Sequence, residues 1–317
     1  MKMNRRDFGK LAMTGGLGLA SGGVSSVALA ATNMKLGRLP VYLFSKHLQF
    51  LNYRDMAEAA AELGFEGLDF TVRPGGHVEP GRAQDDLPEA VEAMKAHGLD
   101  INMFVSRVTN VDDAVGIQSL KTAAELGFKS YRMGYYKPDA KGSFRENIER
   151  CRSQFKGLES FNRLHGLHGA YQNHAGQHIG SYVTDLADLL DGLDPRWVGS
   201  QYDIRHATVD GGASWPLGLR YLKAHIKTIA IKDFHWIQVG GKWKVENVPL
   251  GEGMVDFDRF FKALRSYGIR PSVSLHLEYD LGGADRGNRE ITIPKKEVFA
   301  AMKRDLTHFH ELWEASA

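Results

Sequence analysis

The chain contains 317 residues, and its 40 Lys and Arg against 38 Asp and Glu give a formal net charge of +2. Hydrophobic residues make up 43% and charged residues 25%, a balance that excludes disordered and fibrous proteins. The single cysteine, Cys151, excludes a disulfide framework and multi-cysteine metal centres, and the near-neutral charge argues against nucleic acid as the main partner.

The first thirty residues differ in character from the rest. Arg5-Arg6 is followed by Phe8, by a weakly apolar, glycine-rich stretch at 11–29, and by the small-residue site Ala28-Leu29-Ala30. This order resembles a twin-arginine export signal. We therefore expect a cleaved signal peptide at 1–30, contact with the export machinery and a periplasmic protein. An N-terminal membrane anchor is the alternative, but the glycines disfavour a stable spanning helix.

From residue 31 onwards, short apolar, β-branched or aromatic runs alternate with amphipathic helical patterns. Eight such units in about 285 residues predict a single α/β domain at 31–317, a (β/α)8 TIM barrel. A doubly wound sheet is the rival, but its glycine-rich phosphate-binding first turn is absent. The paired glycines Gly240-Gly241 predict a β-hairpin at Trp236–Val248. The predicted strands are Val41–Ser45, Gly67–Val72, Ile101–Ser106, Ser130–Gly134, His168–His174, Val198–Asp203, Thr228–Phe234 and Ser272–Glu278.

Polar side chains gather at the predicted strand ends, where barrel enzymes carry their chemistry. Because side chains alternate along a strand, Gln172 and His174 share one face, as do His276 and Glu278. Converging His, Asp and Glu side chains suit a divalent metal such as manganese, zinc or magnesium. The other interpretation is hydrogen-bonded scaffolding, with Lys232-Asp233 as an internal ion pair. Desolvating so many polar groups is costly, which favours a site.

Several segments of the chain match a known family pattern in order: Gly64–Asp69, Asp203–His206, Ile231–Asp233, Val248–Gly253 followed by Val255–Phe257, and Val273–Glu278. With these segments, residues from about 36 to 314 resemble the xylose-isomerase-like TIM barrels, a group of sugar and sugar-phosphate isomerases and epimerases that shares its fold with endonuclease IV. The resemblance implies a metal held by Glu, Asp, His and Glu from strands five to eight, with the two glutamates exchanging the substrate proton.

The departures from that family pattern affect the mechanism. The fifth-strand position holds Gln172, the seventh Ala230 and the eighth His276, so only Asp203 is kept. The two-glutamate proton transfer therefore cannot be carried over. One hypothesis is a divalent metal, with the ligands Asp203, His206, His276 and Glu278, assisted by His174 or Gln172. The other is a site without a metal, in which Lys232 supplies the positive charge that stabilises an enediolate.

We expect an exported enzyme that abstracts a proton next to a carbonyl of a small, non-phosphorylated carbohydrate. Glu278, Lys232 and His174 are the predicted catalytic residues. The same proton abstraction in 3-keto-glycosides could instead lead to a lyase or hydrolase reaction, and a non-catalytic periplasmic sugar-binding protein is the other alternative. A DNA repair nuclease fits the fold alone, and the charge balance disfavours it. The predicted substrate contacts are Arg73, His77, Arg107, Arg132, Gln172 and Trp236.

Overall fold

The computed structural model describes residues 37–317. The predicted signal peptide at 1–30 lies outside the described residues. None of the helices within 37–317 combines the length and the apolar character that a bilayer span requires.

The strands are β1 Val41–Phe44, β2 Gly67–Thr71, β3 Asp100–Val105, β4 Ser130–Arg132, β5 His168–Gln172, β6 Val198–Asp203, β7 Ile226–Ile231, β8 Asp233–Val239, β9 Lys242–Val248 and β10 Ser272–Leu275. Eight of them are parallel and close into a barrel in the order β1, β2, β3, β4, β5, β6, β7, β10, with β10 returning to β1. The strands β8 and β9 pair antiparallel as a hairpin that follows β7 directly. The predicted (β/α)8 barrel is thereby confirmed.

The helices are α1 Tyr53–Leu63, α2 Ala83–Ala96, α3 Ala114–Leu126, α4 Phe144–His165, α5 Val183–Leu190, α6 Ile204–Gly211, α7 Trp215–Leu222, α8 Phe257–Ser266 and α9 Lys295–Ala315. Local sequence signals mark where helices begin and end. The Asn52 side chain accepts the Asp55 N–H at the start of α1, and Gly64 ends that helix at φ 92°. Ser143 and Glu146 form a capping box at the start of α4.

Seven of the eight barrel strands end one to three residues earlier than the sequence patterns predict, and three of these differences concern predicted site residues. The fifth ends at Gln172, the seventh at Ile231 and the eighth at Leu275. The ladder between β10 and β7 stops at the pair Leu275 and Ile231, so the chain beyond them leaves the sheet. Consequently Lys232, His174 and Glu278 lie on the loops just beyond the strands. The predicted hairpin is present and begins three residues earlier, at Asp233.

Apolar packing lies between the barrel wall and the helices. Phe104 packs edge-on against Phe128, and Tyr202 stacks on Phe260 with ring centroids 5.8 Å apart. Inside the barrel the side chains are more polar: the buried Ser274 hydroxyl of β10 donates to Asp69 of β2. This polar interior leads to the mouth formed by the carboxyl ends of the strands.

Candidate active site

At the barrel mouth, a lysine lies between two carboxylates. Lys232 follows the end of β7, and its Nζ lies 3.3 Å from Oδ2 of Asp203 and 3.0 Å from Oε2 of Glu278. The Lys232 side chain is 2% exposed and that of Asp203 is fully buried, whereas that of Glu278 keeps 22% of its surface. A second ammonium, that of Lys46, lies 3.3 Å from the other Glu278 oxygen. The bridge therefore fixes a buried cation, and of its two carboxylate partners only Glu278 is partly open to solvent.

Charge coupling keeps this bridge ionised. Burial by itself would lower the pKa of Lys232, but the carboxylates of Asp203 and Glu278 outweigh it, and the pKa is raised. Burial would likewise raise the pKa of Glu278, and the ammonium groups of Lys232 and Lys46 hold that pKa well below its usual value. At neutral pH, Glu278 is a carboxylate and Lys232 an ammonium.

The amide of Gln172 orients the bridge from the β5 side. Its Nε2 donates to Asp203 Oδ2 at 2.7 Å. Its Oε1 accepts from Arg132 Nη1 at 3.1 Å and from the Tyr135 hydroxyl. A glutamate at this position would point a second carboxylate at Asp203 where the amide now donates. The amide is thus the side chain that suits a site already neutralised by a lysine.

Two imidazoles in tilted ring contact border the bridge beside Asp203. The rings of His174 and His206 lie 4.0 Å apart, and the His206 backbone N–H donates to Asp203. Arg205 Nη1 donates to His206 Nδ1, which assigns the His206 proton to Nε2. His174 Nδ1 donates to the Ala175 carbonyl, so its Nε2 carries the free lone pair. Burial lowers the pKa of His174 to about 4, with the charge of Lys232 adding to the effect, so the ring is neutral.

A third histidine connects the mouth to the barrel interior. His276 stacks on Phe44 at 4.4 Å, and its Nδ1 lies 3.5 Å from Glu278 Oε1. Its Nε2 lies 3.0 Å from Ser274 Oγ, which donates to Asp69 Oδ2 at 2.6 Å. Burial raises the pKa of Asp69 and lowers that of His276 to about 4. His276 is held by packing and by Ser274 at the side of the bridge.

Arginines surround the same aromatic ring. The guanidinium groups of Arg132 and Arg73 lie 5.3 and 5.7 Å from the centre of the Phe44 ring. Burial, with the nearby charges of Arg132 and Arg107, lowers the pKa of Arg73 to about 10. Arg107 is exposed. This side of the mouth is therefore cationic and rich in hydrogen-bond donors.

Two predicted substrate contacts lie apart from this cluster. His77 hydrogen-bonds to Ser45 and Thr71 and stacks on Phe70 at 5.3 Å, which places it in the packing around β2. Trp236 lies on β8, 41% exposed. The structure brings the other predicted substrate contacts, Arg73, Arg107, Arg132 and Gln172, to the mouth, where the predicted catalytic residues also lie.

The predicted metal ligands do not fit a divalent cation. The carboxylates of Asp203 and Glu278 both face the Lys232 ammonium, whose charge lies where a cation shared by them would be held. His206 and His276 contact different carboxylates, one beside Asp203 and the other beside Glu278. Within residues 37–317, no group of three or more His, Cys, Asp or Glu side chains is arranged to hold a metal ion. The Lys232 ammonium is therefore the reason that the expected ligands do not suit a divalent cation.

Several site residues were missed by the sequence analysis. Some of these residues directly follow a barrel strand, and that position was the signal that could have identified them. Asn247 belongs to the hairpin and carried no signal, because its role depends on how the hairpin packs against the barrel. The missed residues are Phe44, Lys46, Tyr135, Arg205, Asn247 and Ser274.

Comparison with known proteins gives a family match and several structures of the same fold. The family model described as xylose isomerase-like TIM barrel matches residues 57–293. No curated protein matches the chain.

Among the similar solved structures is D-psicose 3-epimerase with D-tagatose from Clostridium cellulolyticum H10, at 12% identity and a TM-score of 0.63, covering 87% of this chain and 99% of that one. The 3-keto-D-glucoside 4-epimerase from E. coli is 13% identical, with a TM-score of 0.59 and coverage of 85% and 100%. A xylose isomerase-like TIM barrel protein from Mycobacterium smegmatis in complex with magnesium is 11% identical, with a TM-score of 0.60 and coverage of 85% and 98%. At these identities the likeness shows a common fold.

Proposed function

Because the chain belongs to the xylose isomerase-like TIM barrel family, we propose that it is an isomerase- or epimerase-type enzyme that removes a proton next to a carbonyl of a carbohydrate. The observation that carries this proposal is the buried bridge of Lys232 between Asp203 and Glu278. The names of two structural neighbours, a psicose 3-epimerase and a 3-keto-glucoside 4-epimerase, agree with the same class of reaction.

Lys232 supplies the electrostatic stabilisation. Removing a proton next to a carbonyl moves negative charge onto the carbonyl oxygen, and a preorganised cation in a dry site stabilises that charge strongly. An ammonium has three N–H donors, and two of them meet Asp203 and Glu278. The third is available to the substrate oxygen. The side chains of this site do not fit a metal, and no step of the proposal uses one.

Glu278 is the residue that takes the proton. Its side chain is partly exposed, whereas those of Asp203, His206 and His276 are closed off. When Glu278 accepts the proton, its negative charge is lost as a negative charge appears on the substrate oxygen beside the same ammonium. Lys232 therefore faces a negative charge throughout the step, first on Glu278 and then on the substrate oxygen. This stabilisation of the product charge offsets the low basicity of a Glu278 carboxylate that is paired with two lysines.

His174 is the second group for proton transfer. It is neutral and half-buried, and its ring contacts His206, whose backbone N–H donates to Asp203, the carboxylate at the other end of the bridge from Glu278. An epimerase must return a proton to the opposite face of the substrate carbon, so it needs two groups in such an arrangement. The pair Glu278 and His174 meets that requirement without a second glutamate.

Export and a non-phosphorylated substrate are part of the proposal. Export rests on the sequence at 1–30. The non-phosphorylated substrate follows from export, because a sugar phosphate is a poor substrate outside the cytoplasm. The second candidate function is cleavage of 3-keto-glycosides, since the same α-proton abstraction leads to β-elimination when the leaving group is a glycosidic oxygen. The third is sugar binding without catalysis.

The test is hydrogen exchange at the α-carbon in D2O. Purified protein is incubated with ketoses and with 3-keto-glucosides, and loss of the α-proton signal is followed by NMR. We expect exchange by the wild type and its loss in Glu278→Gln. Lys227→Met is the matched control, because Lys227 lies on β7 and is exposed. Release of free aglycone would refute the isomerase proposal in favour of 3-keto-glycoside cleavage. Sugar binding without exchange would refute both enzyme proposals in favour of a sugar-binding protein.

A further inference from the structure

The hairpin is tied to the active site at its base. Asn247 of β9 accepts from Arg205 Nη2 at 2.5 Å, and its Nδ2 donates to the backbone carbonyl of Glu278 at 3.2 Å. Arg205 also lies over the ring of Phe234 at 5.3 Å. The second pair of the hairpin, Phe234 with Asn247, therefore adjoins the candidate site.

The register places two tryptophans on the same face as Asn247. Phe234 pairs with Asn247, Trp236 with Val245, and Gln238 with Trp243. Directly opposite residues, and those two positions along, share one face of an antiparallel pair. Trp236 and Trp243 therefore lie beyond Asn247 on its face, 41% and 66% exposed. We call the outer part of this face, Trp236, Gln238, Trp243 and Val245, the tryptophan ledge.

The chemistry of the ledge suits a neutral sugar ring. An indole presents a flat apolar surface with one N–H donor, and a pyranose ring has an apolar C–H face edged by hydroxyl groups. Gln238 adds an amide between the two indoles. The charged residues of the hairpin, such as Lys244 and the ion pair of His235 with Glu246, lie on the opposite face. The ledge thus offers stacking and hydrogen bonds without charge.

We propose that the tryptophan ledge is a substrate subsite, which binds the second sugar ring of a disaccharide-sized glycoside while the first ring lies at Lys232. This inference rests on the proposed function. The pair Trp236 and Val245 lies about 7 Å along the strands from Phe234 and Asn247, since each residue advances the strand by about 3.3 Å. That distance separates the ledge by about one sugar ring from the pair Phe234 and Asn247, where the hairpin meets the site. Exposed apolar surface beside a polar site also marks a binding surface.

The test compares the affinities for cellobiose and glucose by calorimetry, with the full chain. We expect the wild type to bind cellobiose about tenfold more tightly, and Trp243→Ala to reduce that ratio to about twofold or less, because tenfold corresponds to about 1.4 kcal/mol and stacking contributes on that order. Lys244→Ala, which changes the neighbouring residue on the opposite face, is the control and should leave the ratio unchanged.

Other outcomes would overturn the subsite. An unchanged ratio in Trp243→Ala refutes it and leaves the proposed function intact, provided that α-proton exchange is still observed. If 4-nitrophenyl glucoside binds more tightly than glucose and cellobiose does not, the ledge is assigned to an aromatic aglycone. A dimer that dissociates in Trp243→Ala, with the ratio unchanged, assigns the ledge to a second copy of the chain. Absence of both sugar binding and α-proton exchange in the wild type refutes the subsite and the proposed function together.

Discussion

Replacing Lys232 by methionine removes the charge of the bridge while nearly keeping its volume. The Asp203 carboxylate has no exposed surface, and without Lys232 it keeps only the Gln172 amide and the His206 N–H as close donors. Breaking a buried ion pair from one side costs about 3–5 kcal/mol. Glu278 is affected less, because Lys46 remains 3.3 Å from its other oxygen. We therefore expect Lys232→Met to lose about 3–5 kcal/mol of unfolding free energy at pH 7.

The pH dependence of this loss has a definite sign. In the wild type the pKa of Glu278 lies well below its usual value because of Lys232 and Lys46, although burial opposes them. Its stabilising contribution is therefore present at neutral pH and is lost as the pH falls through that low pKa. Without Lys232 the pKa of Glu278 rises, so the stability difference between variant and wild type should shrink as the pH falls from 7 to about 4.

Urea denaturation of wild type, Lys232→Met and Lys227→Met at pH 7 and near pH 4 measures this prediction. The α-proton exchange rate is measured on the same samples under folding conditions, and for Lys232→Met we expect it to fall by about 10²–10³, the usual cost of losing one oxyanion donor. A stability loss below about 1 kcal/mol that does not vary with pH would refute the buried bridge. Equal losses for Lys227→Met would also refute it.

Three further predictions concern the surroundings of the bridge. Gln172→Glu points a second carboxylate at Asp203, so we expect the free energy of unfolding at pH 7 to fall by about 1–3 kcal/mol. Urea titrations should show this loss becoming smaller on acidification, and an unchanged urea midpoint would contradict the role of the amide. Asn247→Ala removes both links between the hairpin and the site, so the KM for substrate should rise about tenfold with little change in Tm; an unchanged KM would argue against these links. Excess EDTA followed by dialysis should alter the exchange rate of the wild type by less than about twofold, whereas a loss that manganese restores would return the metal to the mechanism.

The barrel could be predicted because it depends on local patterns. Helical periodicity, glycines such as Gly64 at helix ends, and short apolar runs each report on the nearest few residues. Strand ends were less predictable. The alternation of side chains continues through His174 and Glu278, but strand pairing stops earlier, at Gln172 and Leu275. The position where pairing stops depends on the arrangement of the whole sheet, and the strand's own sequence does not encode it.

The site could be predicted as a set of residues but not as an arrangement. Polar strand ends located Asp203, Lys232 and Glu278 together, and the missing family ligands indicated that Lys232 could replace a metal. Which carboxylates the lysine bridges depends on the reach of its long side chain between two loops. His77 differs from these residues, because this histidine after a strand turns back toward Thr71 and Phe70.

The most direct measurement of the central claim is α-proton exchange by metal-free wild type and by Lys232→Met, with the same ketose and 3-keto-glucoside substrates in D2O. If the buried ammonium is the electrophile, the metal-free wild type exchanges the proton at its full rate, and Lys232→Met is slower by about 10²–10³ while still folded. Exchange that requires added metal, or that is unaffected by Lys232→Met, would contradict the account.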